Sequence, residues 1–155
     1  MDNVKLADID ALNRNRQPPQ EGENLFTDLL WADPMAQKGR APSPRGEGKT
    51  FGPDITDKFC QQNKITYILR AHQMCDKGFE NNHTNKLFTV FSAPNYCDQM
   101  GNKGAICIVR RRSEDKEKEG GKAVDYLPEF IQYDASPHPK TQSMQYANPL
   151  LRFGM

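Results

Sequence analysis

The chain has 155 residues in which 21 lysines and arginines face 20 aspartates and glutamates, a formal net charge of +1, so a general nucleic-acid-binding surface is not indicated. No apolar run approaches the roughly 20 residues of a membrane helix, and the opening MDNVKLADID is charged from its second residue, so neither a membrane partner nor a secretory leader is expected. The length suits one domain, but only 36% of residues are apolar and mean hydropathy is −0.83; ordinary domains are nearer half apolar, so part of the packing surface of the fold is expected to be missing.

In chain order, Val4, Leu6, Ile9 and Leu12 fall at helical spacing within VKLADIDALNRNR, with acids early and arginines late, which predicts a short amphipathic helix. QPPQEGEN ends it, because proline cannot continue a helix. LFTDLLWADP then supplies Leu25, Phe26, Leu29, Leu30 and Trp31 as expected core. Met35 to Gly52 is rich in glycine, proline, serine and basic residues and reads as a loop, too long to be a plain connector. PDITDKFCQQNK predicts a helix with Pro53 and Asp54 in its first turn and Ile55, Phe59 and Cys60 on its apolar face. ITYILRAH, LFTVFSA and GAICIVR read as strands running into polar ends. The charged, glycine-containing stretch from Arg110 to Lys122 separates GAICIVR from LPEFIQYDA, which predicts a hairpin with an enlarged solvated loop. The acids that follow Arg110 to Arg112 argue against a polybasic signal there. Beyond Ser136 the tail is interrupted by proline.

Two predicted strands end in reactive residue types, Arg70 and His72 in one case and Asn95, Tyr96 and Cys97 in the other. Adjacent strand ends converge on a crevice in many α/β folds. His72 suits a metal ligand or an acid/base, or equally a hydrogen-bonded histidine at a strand end. Arg45, between a proline and glycines in SPRGEGKTFG, suits bidentate recognition of phosphate or carboxylate, or an exposed loop arginine. Tyr96 suits a hydrogen bond to an anion or plain ring packing, and Cys97 is reactive only with a depressed pKa. Cys60, Cys75, Cys97 and Cys107 show no CxxC spacing, which fits reduced thiols. His83 and His138 are expected to be surface histidines.

Taken together, LLWADP, RGEGKTFGPDITDKFC, RAHQMCDKGFE and FTVFSAPNYCDQMGNKGA closely resemble, in order and spacing, the C-terminal half of the catalytic domain of the PPP family of metal-dependent serine/threonine protein phosphatases. IDALNRNRQPP, CDQMGNKGA and MQYANPLLRFGM are most similar to one subfamily, whose members carry a TPR region that recruits the Hsp90 chaperone. The resemblance implies an α/β, partial calcineurin-like metallophosphatase fold, a β-sandwich half with flanking helices. It divides the chain into a catalytic-domain portion at 1–136, with the charged insertion at about 110–122, and a tail at 137–155 similar to an autoinhibitory segment.

The same resemblance implies roles for individual residues. His72, in RAHQ, matches a ligand of one of two catalytic divalent metals, manganese or iron and zinc. Arg45, in RGEGKTFG, matches an arginine that holds the substrate phosphate. Tyr96 matches a tyrosine beside that phosphate. Cys97 matches a loop cysteine that contacts inhibitors and takes no part in catalysis. The implied activity is hydrolysis of phosphoserine and phosphothreonine in phosphoproteins by a metal-activated water, in the cytoplasm and nucleus. The family motifs GDxHG, GDxVDRG, GNHE and HGGL do not occur in the 155 residues, leaving His72 as the one implied metal ligand. The chain is therefore expected to be a truncated phosphatase, inactive alone, with a non-catalytic phosphate- or partner-binding short form as the alternative.

Overall fold

The computed structural model describes residues 3–17, 25–46, 48–110 and 128–138. The charged insertion from 111 onward and the tail from 139 onward lie outside the described residues. Helix α1 spans Leu6–Asp10 and α2 spans Leu25–Trp31; β1 is Asp33–Pro34, β2 Arg40–Pro42 and β3 Lys49–Phe51; α3 is Pro53–Asn63; β4 is Ile68–Arg70, β5 Phe79–Asn82 and β6 Leu87–Val90. A 3-10 turn at Tyr96–Asp98, β7 at Gly104–Ile108 and β8 at Glu129–Tyr133 complete the order.

The longest helix forms where the sequence predicts it. Pro53 opens α3 with its φ already helical, and Lys64 closes it in a left-handed conformation. Asp54 Oδ1 accepts the Gly39 backbone N–H at 2.8 Å, and that hydrogen bond, more than any other influence, lowers the Asp54 pKa. Gly52 must be glycine, because a Cβ there would drive into the Gln37 carbonyl and the Lys38 backbone. At the other end, the Asn63 side chain donates to Val4 O at 3.1 Å and accepts the Leu6 N–H at 2.9 Å, which docks α1 on α3. The first helix is much shorter than its hydrophobic spacing suggests. Asn13 Oδ1 turns back onto the Asn15 N–H, the local competition that removes asparagine from helix interiors.

Three small sheets follow. The segment expected as a loop at Met35 to Gly52 holds two strands: β2 and β3 pair antiparallel through Arg40↔Phe51, Ala41↔Thr50 and Pro42↔Lys49, while β1 runs parallel to β3. Its three-residue strands are too short, and Pro42 too untypical of a strand, to show a period. In the second sheet β6 is central, parallel to β4 through Ile68↔Leu87 and Arg70↔Thr89 and antiparallel to β5 through Phe79↔Val90. Leu87, Phe88 and Thr89 are buried there, in agreement with LFTVFSA as a strand. The third sheet is the β7/β8 hairpin, in register at Ile106↔Ile131 and Cys107↔Phe130. Phe130 carries it onto the second sheet, stacking on Phe79 at 4.2 Å and lying 5.6 Å from Phe88.

The expected core of α2 is only partly realised. Phe26 is buried, but Leu29, Leu30 and Trp31 remain 47%, 43% and 37% exposed. Leu29 and Leu30 instead line a wide apolar depression of about 850 Å³, with Val4, Leu6, Ile55, Phe59 and Leu69 among its other walls. Among the described residues this apolar face is open to solvent. An open apolar face of this size binds hydrophobic dye or self-associates. The isolated chain should therefore enhance anilinonaphthalene sulfonate fluorescence and show concentration-dependent mass in light scattering; a dye-silent monomer would mean the depression is covered.

Candidate functional site

Strands β4 and β6 are hydrogen-bonded parallel neighbours, so both chains leave the sheet at the same edge. His72 lies two residues beyond Arg70, and Tyr96 and Cys97 six and seven beyond Val90. Ligand sites of open α/β sheets occupy this kind of edge, at the carboxyl ends of parallel strands.

The strongest contacts at that edge converge on Asp33, which follows α2 and is buried. Its Oδ2 accepts Arg45 Nε at 2.6 Å and its Oδ1 accepts Arg70 Nη2 at 2.9 Å. Arg70 also donates to Gln73 Oε1 at 2.7 Å and to Ala32 O at 3.0 Å. Burial pulls the Arg70 guanidinium below its ordinary pKa, and the hydrogen bond and charge of Asp33 oppose that shift. Arginine remains a cation through such shifts, so one carboxylate faces two positive charges. Arg45 comes from the turn between β2 and β3, where Ser43 Oγ accepts its backbone N–H at 3.2 Å. Its Nη2 reaches the His72 carbonyl at 3.4 Å. His72 has a φ of 87°, is exposed, and meets Trp31 edge to face at 5.3 Å.

Three separate stretches thus bring Arg45, Asp33, Arg70 and the His72 carbonyl into one linked set of contacts. Tyr96 and Cys97 stand on the loop leaving the neighbouring strand, where the Tyr96 ring packs edge-on against Phe91 at 5.1 Å and stays 46% exposed. That loop is tightly bonded. Buried Asn102 accepts the Tyr96 N–H at 2.8 Å and donates to Ala93 O at 2.8 Å and Lys103 O at 2.9 Å. Asn95 Oδ1 accepts the Gly101 N–H at 3.0 Å. Asn95, Cys97 and Asp98 all adopt positive φ.

Among the described residues, no group of three or more His, Cys, Asp or Glu side chains could hold a metal ion. The nearby carboxylate of Asp33 is engaged by two guanidiniums, and His72 is the imidazole at this edge. These donors do not by themselves fit a two-metal centre, which needs several anionic and imidazole ligands.

One side chain differs from its sequence reading. His83 is no simple surface residue: its Nδ1 lies 2.8 Å from Thr56 Oγ1, its Nε2 lies 2.9 Å from Met35 O, and its ring meets Phe51 edge-on. It clamps α3 to the segment after β1. His138 is exposed, as expected, and pairs with Asp98 Oδ1 at 2.9 Å. Asp33 carries no signal as a site residue in the sequence, since both of its partners lie far along the chain.

A buried carboxylate between two arginines, with a histidine at the carboxyl edge of a mixed sheet, is an arrangement suited to an anionic ligand, and similarity to known proteins defines the class as phosphoester-handling. Residues 2–76 match the family model of calcineurin-like phosphoesterases. The chain is 48% identical over 152 residues to serine/threonine-protein phosphatase 5 of Solanum lycopersicum and 45% identical over 154 residues to that of Homo sapiens, covering 98% and 99% of this chain but 25% and 28% of those proteins. It is also similar to a solved serine/threonine phosphatase of Saccharomyces cerevisiae described as similar to human PP5, with a TM-score of 0.72 and 37% identity over 89% of this chain and 42% of that one. The chain belongs to the PPP family of serine/threonine protein phosphatases, as a phosphatase 5-like part of the catalytic domain. It spans about a quarter of the length of the curated relatives it matches.

Removing a buried charge from between two partners leaves them uncompensated. Asp33→Ala should destabilise a folded polypeptide carrying this segment by about 3 kcal/mol, read as a shift in urea midpoint, whereas Asp134→Ala, which breaks the exposed pair with Lys103, should cost below about 1 kcal/mol; equal shifts would remove Asp33 from its central role. Burial raises the Cys60 and Cys75 thiols above their ordinary pKa, while Cys97 is exposed. Mass spectrometry after brief maleimide treatment should find Cys97 modified ahead of Cys60 and Cys75, and faster labelling of either buried thiol would contradict the packing.

Proposed function

We propose that this chain supplies one wall of the active site of a serine/threonine phosphoprotein phosphatase, with Arg45 holding the substrate phosphate. The observation that carries this is the setting of Arg45. Asp33 takes its Nε and the His72 carbonyl lies near its Nη2, so the guanidinium is fixed in orientation with its terminal nitrogens at the sheet edge. Such a fork matches two phosphate oxygens, and its immobility means that no reorganisation is needed as charge develops on them. Arg70, bound on several sides, holds the Asp33 carboxylate in place. Tyr96 lines the same site from the neighbouring strand end, and Cys97 stands at its rim as a contact for inhibitors.

In this proposal His72 serves as a ligand of one of two divalent metals, manganese or iron and zinc, with the other ligands outside these 155 residues. A single imidazole cannot retain the pair, so the 155-residue chain by itself has no appreciable phosphatase activity. Phosphoproteins are the proposed substrates. The subfamily resemblance extends the proposal to association with Hsp90 through a TPR region, and to a cytoplasmic and nuclear location.

Grafting tests this directly. The 155 residues, exchanged for the matching segment of the tomato enzyme, should support manganese-dependent hydrolysis of a phosphoserine peptide, while the isolated chain should not. Within the graft, Arg45→Ala should lower kcat about 10²- to 10³-fold, and Arg45→Lys should recover little, because an ammonium cannot bond Asp33 and also present a planar fork. An active graft indifferent to Arg45→Ala would refute the assignment of Arg45.

A further inference from the structure

We propose that Asn102 is a positioning residue for Tyr96, holding the loop after β6 in the one conformation that presents the phenol to the phosphate; this rests on the proposed placement of Tyr96 in the active site. Asn102 lies six residues beyond Tyr96, is 5% exposed, and its side-chain bonds go to the backbone of its own loop. Its Oδ1 meets an N–H and its Nδ2 meets two carbonyls, so only one orientation of the amide satisfies the loop; the flipped amide would set donor against donor and acceptor against acceptor. The backbone of Asn102 joins in, accepting the Asn95 N–H at 2.8 Å. Bonds therefore reach the loop immediately before Tyr96, at Tyr96 itself, and at its return into β7.

The need for such a clamp follows from the backbone. Asn95, Cys97 and Asp98 have φ of 45°, 56° and 59°, a region that costs non-glycine residues free energy and persists only where surrounding contacts impose it. Tyr96 sits among these three, and among the described residues its ring meets one other ring, that of Phe91. A single edge contact on a half-exposed ring does not lock the phenol, so its direction is inherited from the backbone, and the backbone from Asn102. Neighbouring Lys103 fastens the same end of the loop to the body, its N–H on Asp76 O at 2.9 Å and its Nζ on Asp134. Loss of the amide would free the Tyr96 end of the loop while leaving that anchor in place.

The active graft tests this with a double-mutant cycle, read both as kcat/KM on a phosphoserine peptide and as inhibition by inorganic phosphate. Asn102→Ala should lower kcat/KM about 10- to 100-fold, the scale of a misplaced active-site group, and weaken phosphate inhibition. In a Tyr96→Phe background the same substitution should have little further effect on either quantity, because the group it positions is already disabled. A loss of equal size in both backgrounds, or no loss in the Tyr96-containing enzyme, would overturn the role of Asn102. A silent Tyr96→Phe would overturn the placement of Tyr96 itself, a separate failure. Should Asn102→Ala not yield folded enzyme, Asn95→Gly removes the Gly101 bond at a position whose positive φ suits glycine. Its effect should likewise vanish beside Tyr96→Phe, and persistence there would count against the clamp.

Discussion

A carboxylate held inside a protein must be matched by positive charge, and the geometry of this sheet edge is the solution to that demand at Asp33. Each of its oxygens receives a different guanidinium, one from the turn between β2 and β3 and one from the end of β4. Neither arginine can leave without exposing the acid to an apolar, desolvated environment. The arrangement therefore fixes more than two side chains. It joins the small β1/β2/β3 sheet to the β4/β5/β6 sheet, and it sets where the His72 backbone passes. An electrostatic requirement inside the fold thereby determines which nitrogens of Arg45 face outward.

The apolar depression beneath α2 expresses a different constraint. Helices α1 and α2 and the outer residues of α3 and β4 turn leucines, isoleucines and phenylalanine toward a common space without an element among the described residues to fill it. The low apolar fraction of the chain and this open face are two views of one fact, since a small core made of Phe26, Cys60, Cys75, Leu87, Phe88 and Ala105 cannot close around so much surface. The chain's short reach along its relatives and along the yeast structure agrees with this.

Elements with strong local chemistry are legible in the amino-acid sequence alone. Proline and aspartate at the start of α3, the β-branched and aromatic run of β6, and the short apolar run of β7 each state their conformation in a few adjacent residues. Others give no such local sign. β5, the polar string FENN, is a strand because β6 lies beside it and Thr89 Oγ1 donates to Asn82 Oδ1, a reason invisible in its own residues. The β2/β3 hairpin hides in a composition that elsewhere means loop. At the site, family motifs point to His72, Arg45, Tyr96 and Cys97, whereas Asp33, His83 and Asn102 matter through partners 12 to 48 residues away or through a loop closure six residues long. Long-range pairing is what a single sequence withholds.

The left-handed residues of the Tyr96 loop also limit how this segment can change over generations. Asparagine and aspartate enter that conformation more readily than other non-glycine residues, and branched side chains are almost barred from it. Positions 95 and 98 already carry the former. Drift at these sites is thereby biased toward Asn, Asp and Gly by backbone sterics, whatever substrate the surface meets, and Cys97 holds the same conformation without belonging to that set.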